Sequence, residues 1–196
     1  MTQAASPVAR SLLRAALACL LAMGTGAALA DDYADVNALL RAGKATEALD
    51  KADRYIAGNP RDPQMRFLRG VILSEQGKTT DATDTFVKLT QDYPELPEPY
   101  NNLAVIYAAR GDLDKARDTL LTALRLNPNY AVAHENLGDV YVRLAARQYN
   151  RAQSYASISA SVAPKLAMIR QLVDRTGESS NGALPADPPE QRRLVR

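Results

Sequence analysis

His134 and Cys19 are the only histidine and the only cysteine among 196 residues. General-base and nucleophilic catalysis need such a group beside an orienting partner. A lone His, with no Cys beyond the first thirty residues, supplies neither a Cys–His pair nor a thiolate or imidazole metal cluster. His134 is therefore read as a packed side chain. Carboxylate-only sites for hard metals stay open, but no loop has the alternating acidic spacing of a calcium loop. Gly77-Lys78-Thr79 has the ending of a phosphate-cradling loop but neither its first glycine nor a preceding strand. The expectation is a chain without catalytic residues, metal ligands or cofactor.

Charge narrows the partner class. The chain has 24 basic and 22 acidic residues. Arg10 and Arg14 lie in an acid-free opening segment, and without them the basic count falls to 22, equal to the acidic one. A neutral chain lacks the basic stripe that a phosphate backbone requires, so no nucleic-acid partner is expected.

Residues 1–30 read as a secretory signal peptide: Arg10 and Arg14, the uncharged run AALACLLAM at 15–23, then Ala28-Leu29-Ala30 before Asp31-Asp32. The run is shorter than the ~20 apolar residues of a membrane span. Cleavage is expected after Ala30, leaving no span and a periplasmic protein. Lipid anchoring at Cys19 and full secretion are the alternatives.

Positioning comes from repetition. Gly43, Gly77 and Gly111 lie 34 residues apart, as do Ala48, Ala82 and Ala116, and Pro60, Pro94 and Pro128. Each glycine sits between two apolar-periodic stretches and can end a helix in a left-handed conformation. Each Ala lies one turn into the second helix, where a small side chain permits close approach. Each Pro follows that helix and cannot continue it. In the third copy Leu103, Ile106 and Tyr107 share one helix face, and Ala116, Leu120, Ala123 and Leu124 share another. Single helix pairs cannot bury such faces, but stacked pairs can.

Copy three, residues 97–130, reads Tyr100, Leu103, Ala104, Tyr107, Ala116, Leu120, Ala123 and Pro128. At this spacing the chain resembles the tetratricopeptide-repeat (TPR) family, whose unit is two antiparallel helices. Copy two, 63–96, keeps Gly70, Gly77, Ala82, Phe86 and Pro94, with Arg66 and Arg69 at two packing positions. Copy one keeps Gly43, Ala48 and Pro60 and acts as the atypical end, its first helix beginning near Asp32. Copy four opens with His134, Leu137, Gly138 and Tyr141, after which Ala152 and Pro164 fall 36 residues from their counterparts. A two-residue insertion between Tyr141 and Ala152 accounts for the slip. Leu144-Ala145-Ala146-Arg147 replaces the inter-helix glycine, so the Ser-rich second helix either packs differently or runs on from the first.

The resemblance implies an all-α TPR-type helical-hairpin solenoid over 31–175, with about four repeats. A capping helix is expected at 164–175, with Pro164 in its first turn and Leu166, Ile169, Leu172 and Val173 as its apolar stripe. Residues 176–196 lack apolar periodicity and read as a disordered tail.

For function the resemblance implies binding of peptides or proteins along the first helices. Carried over position by position, the groove would comprise Tyr33, Asn37 and Leu40; Gln64, Phe67, Val71 and Ser74; Glu98, Asn101, Val105 and Ala108; and Val132, Glu135, Asp139 and Val142. This surface is apolar in its middle and amide-bearing and mildly acidic toward its C-terminal end. It suits a peptide with apolar anchors and a basic end. A carboxylate clamp of the kind some TPR proteins use is not expected, since Tyr33 or Phe67 stands where its lysine would be. Asn102 and Asn136 are expected to make ordinary helix-surface hydrogen bonds. The leading expectation is a non-enzymatic adaptor assisting assembly of an envelope complex. A structural subunit of an oligomer is the alternative, and an enzyme with a cryptic site ranks below both.

Overall fold

The computed structural model describes residues 32–155 and 159–179. Among them are eight helices and no strand. They are α1 (32–41), α2 (Ala45–Gly58), α3 (Pro63–Glu75), α4 (Thr79–Asp92), α5 (Pro97–Ala109), α6 (Leu113–Leu126), α7 (Ala131–Ser154) and α8 (Ser159–Ser179). The expected signal segment, with Cys19 and Ala30, and the expected tail from residue 180 onward lie outside the described residues.

The three glycines turn the chain as their spacing requires. Gly43, Gly77 and Gly111 have φ of 71°, 70° and 85°, and no other described residue has positive φ. Each closes its helix with the same pair of bonds. The Gly43 amide donates to Leu40 and the Lys44 amide to Leu39, at 2.9 Å each. Gly77 and Lys78 repeat this on Ser74 and Leu73, and Gly111 and Asp112 on Ala108 and Tyr107. This is the Schellman closure, in which a left-handed residue lets orphan carbonyls be satisfied.

The returns between hairpins are equally uniform. Pro60, Pro94 and Pro128 each occupy the second position of a turn, closed by Asp62 N–H to Asn59 at 3.1 Å, Leu96 to Tyr93 at 3.2 Å and Tyr130 to Asn127 at 3.2 Å. Pro63 and Pro97 then open α3 and α5, where no amide donor is needed. Asp62 caps α3, accepting from the Gln64 and Met65 amides.

α1 and α2, α3 and α4, and α5 and α6 form hairpins, and each second helix also packs on the first helix of the next hairpin. The core runs along this seam. Ala48, Ala82 and Ala116 are fully buried where paired helices meet, and Leu103, Tyr107 and Ala123 are buried with them. At Gly70 a Cβ would lie 2.6 Å from the buried Phe86 ring, so only glycine lets α3 and α4 approach this closely.

Repeat four departs from the pattern. No turn interrupts residues 131–154, so the first part of the expected second helix is instead a continuation of α7. The physical reason is Ala145, which stands where Gly43, Gly77 and Gly111 recur. Leu-Ala-Ala-Arg offers no left-handed residue, and all four favour helix. The two extra residues are therefore helix and not a loop insertion. α7 ends only at Ser154, and α8 packs along it. α8 spans Ser159–Ser179 where a cap over 164–175 was expected, and its first four residues past 175 take part of the expected tail. Pro164 lies inside this helix, not in its first turn. Leu166 is buried and Leu172 is 46% exposed.

The consequence shows at two repeat-defining positions. Gly138 corresponds to Gly70, yet a Cβ there would meet nothing within 4 Å. Tyr141 corresponds to the buried Tyr107, yet is 47% exposed. No helix returns at Ala145 to cover either one. Leu137, by contrast, is buried at 8% exposure and joins the core.

Candidate functional site

The groove positions carried over from the sequence divide between two environments. Phe67 (2% exposed), Val71 and Asn101 (both 0%) are core and cannot line a surface. Phe67 points into its own hairpin, its ring 5.7 Å from that of Phe86 in α4. Tyr33, Asn37 and Leu40 on α1, Gln64 and Ser74 on α3, Glu98, Val105 and Ala108 on α5, and Val132, Asp139 and Val142 on α7 are half-buried, and Glu135 is exposed.

Tyr33 is already engaged. Its hydroxyl donates to Asp62 Oδ2, which also accepts from Tyr55 at 2.9 Å, and the two tyrosine rings lie 5.6 Å apart. Burial, reinforced by the Asp62 carboxylate, pushes the Tyr33 phenol well above its usual range. Tyr33 therefore braces α1 against α2 and α3.

The α5–α7 end differs. Asn101 and Asn102 are the buried polar residues of the described chain. Asn136 Nδ2 donates to Asn101 Oδ1 at 2.8 Å, joining the first helices of neighbouring repeats, and Asn102 Nδ2 donates to the Glu98 carbonyl at 3.0 Å. Asn101 Nδ2 and Asn102 Oδ1 find no hydrogen-bond partner among the described residues. The amides expected on the helix surface are thus an internal polar seam. Sequence reading missed this because an Asn on a helix face carries no signal of burial. Outside the seam, Glu98, Glu135 and Asp139 accompany Val105, Val132 and Val142 on the first helices. Burial, and then the neighbouring Glu135, raise the Asp139 carboxyl above its usual range, and Arg143 partly offsets them.

His134 is exposed, and its Nε2 lies 3.0 Å from the Pro128 carbonyl oxygen. Tyr100, at the same repeat position, reaches the Pro94 carbonyl at 3.4 Å. Both side chains fasten a first helix to the proline turn before it. Packing is replaced here by a hydrogen bond, and the role stays structural. Among the described residues no group of three or more His, Cys, Asp or Glu could hold a metal ion. No described helix is long and apolar enough to cross a membrane.

Comparison with known proteins agrees with this geometry. A family model described as "Tetratricopeptide repeat" matches residues 33–97, and one described as "TPR repeat" matches 106–144. No curated protein matches the chain. Among solved structures, the first TPR domain of Spaghetti (RPAP3), bound to the HSP90 peptide SRMEEVD, superposes with a TM-score of 0.54 at 20% identity, over 58% of this chain and 90% of that one. The Yersinia enterocolitica type III secretion chaperone SycD, in complex with a peptide of the translocator YopD, gives 0.54 at 15% identity, over 59% and 94%. YrrB, described as a TPR protein with an unusual peptide-binding site, gives 0.50 at 25% identity, and this chain spans 54% of its length.

Proposed function

Because the chain is a tetratricopeptide-repeat protein, we propose that it serves as a non-catalytic adaptor holding a protein or peptide partner on the first-helix face of α5 and α7. The observation that carries this reading is the pairing of half-buried Val105, Val132 and Val142 with the acidic Glu98, Glu135 and Asp139 on that face. Half-burial leaves part of each of these side chains open to solvent, and Glu135 beside them is exposed. Apolar side chains beside carboxylates suit a segment with one or two apolar anchors and a basic residue. The raised Asp139 carboxyl marks a charge that a cationic partner group would stabilise. The peptides bound by the similar Spaghetti domain and SycD support the class of partner.

The workplace proposed is the bacterial periplasm. The support is the sequence pattern of residues 1–30, and the role would be assembly of an envelope complex. Cell fractionation with N-terminal sequencing tests it: a periplasmic chain beginning at Asp31 is expected, and an uncleaved cytoplasmic one contradicts it.

A second reading, a structural subunit of an oligomer, is favoured by the last hairpin, where Tyr141 (47%), Met168 (70%) and Leu172 (46%) are exposed. Photocrosslinking in cells separates the two. A crosslinker at Val105 or Asp139 should capture a different protein, while one at the exposed Lys88 of α4 should not. Capture of a second copy from Met168 alone would favour the oligomer.

A further inference from the structure

The uninterrupted α7 creates a second surface that none of the repeats before it has. Arg143, Arg147 and Arg151 stand one turn apart on it, Arg143 where the earlier first helices end and the other two beyond that point. With Leu113 at the start of α6 and Val173 of α8 they line a cleft of about 560 Å³. Asn150 and Ser154 add an amide and a hydroxyl, and Leu113, Ala146 and Val173 give it apolar wall. Arg170 of α8 donates to Asn150 Oδ1 at 3.3 Å, bringing a fourth guanidinium to the rim.

The one carboxylate bonded to this row is already committed. Asp114 accepts from Arg147 at 2.6 Å and from Arg117 at 3.2 Å, and the Arg147 guanidinium holds its carboxyl below the usual carboxylate range. Among the residues whose side chains are described, 32–155 and 161–174, no ion pair within 4.0 Å involves Arg143 or Arg151. Asp139, one turn before Arg143, attracts it only at longer range. Arg147 is thus a strut between α7 and α6, while Arg143 and Arg151 flank the cleft without a directly bonded carboxylate. A cleft lined by one sign of charge concentrates its field on a bound ion of the other sign.

We propose that this cleft binds a short acidic segment of a protein, with a carboxylate on Arg143, another on Arg151, and an apolar side chain between them against Leu113, Ala146 and Val173. Guanidinium forks match carboxylates with two parallel hydrogen bonds. Eight helical residues separate the two arginines by roughly 12 Å at 1.5 Å per residue. An extended peptide covers that span in about four residues. A nucleic acid fits less well, because the cleft has no aromatic side chain on which a base could stack. The cleft is lined by residues other than those of the first-helix face, and the two surfaces adjoin at Arg143.

Fluorescence anisotropy on the full mature chain tests the proposal, with a fluorescein-labelled Glu-Leu-Glu-Glu peptide, its Gln-Leu-Gln-Gln counterpart and a six-nucleotide oligothymidylate as probes. The acidic peptide should bind, and its affinity should fall as salt rises. R143E/R151E should weaken it at least tenfold with circular dichroism unchanged, and R143K/R151K should recover part of the loss. Arg147 is left in place because it ties α7 to Asp114. Absence of acidic-peptide binding at low salt, equal binding of the amide peptide or the oligonucleotide, or full binding by R143E/R151E would overturn the proposal. Crosslinking from Val105 reads the first-helix face separately, so either conclusion can fail alone.

Discussion

The hydroxyl of Tyr33 in α1 donates to the carboxylate of Asp62, 29 residues later, at the start of α3. Through the same carboxylate Asp62 holds Tyr55 of α2 and caps α3. One side chain thus fastens three helices, α1, α2 and α3, to one another.

Asp62→Ala should therefore cost more than a lost cap alone, on the order of 2–3 kcal/mol, since it also strands two tyrosine hydroxyls. Tyr33→Phe should cost about 1 kcal/mol. Urea denaturation of both variants gives the comparison, and equal small losses would show that Asp62 acts only as a cap.

The same contact sets an alkaline limit. Tyr33 has a folded pKa raised above its unfolded value of about 10. Its contribution is fully present below that pH and is lost as pH rises above it, because the unfolded chain then releases the proton more readily. Stability measured from pH 8 to 11 should fall above about pH 10, and less steeply in Tyr33→Phe.

Two glycines at one repeat position should respond oppositely to alanine. Gly70→Ala drives a Cβ into the Phe86 ring at 2.6 Å and should destabilise by about 1–3 kcal/mol, with partial rescue in the G70A/F86L double variant. Gly138→Ala meets open space inside a helix and should stabilise by up to about 1 kcal/mol. Thermal melts of the two single variants decide it.

Asn136→Ala should leave Asn101 Oδ1 buried without its donor and cost about 1–3 kcal/mol. Replacing both amides, as N101L/N136L, removes the stranded group and should cost less than the single change. If the double variant loses as much as the two single losses combined, the seam is not a coupled pair.

Asp139→Asn removes a charge that burial and Glu135 disfavour, so the free protein should gain slightly, within about 0.5 kcal/mol. Affinity for a partner captured on α7 should fall at the same time. A gain in both stability and affinity would remove Asp139 from the binding face.

The periodic glycines, alanines and prolines made the first three hairpins readable, because each marks a backbone demand that other residues meet poorly. Asp62-Pro63 carried the local signature of a cap and first turn. Ala145, in a glycine's place, left two outcomes open, a second helix packed differently or one running on from the first, and the register slip alone did not say whether helix or loop absorbed it. The candidate face was harder to read. Position 5 of the repeat is a surface position only if the hairpin packs loosely, and Gly70 instead lets Phe67 and Phe86 close the gap. The arginine cleft needs α6, α7 and α8 together, and no spacing in the sequence announces that meeting.

The most direct test of the central claim is amide hydrogen exchange on the chain, with and without the protein segment that crosslinking captures. Binding on the first-helix face predicts added protection in α5 and in the α7 turns carrying Val132 to Val142, with α4 and α6 unchanged. Protection confined to α4, α6 or α8 would contradict it.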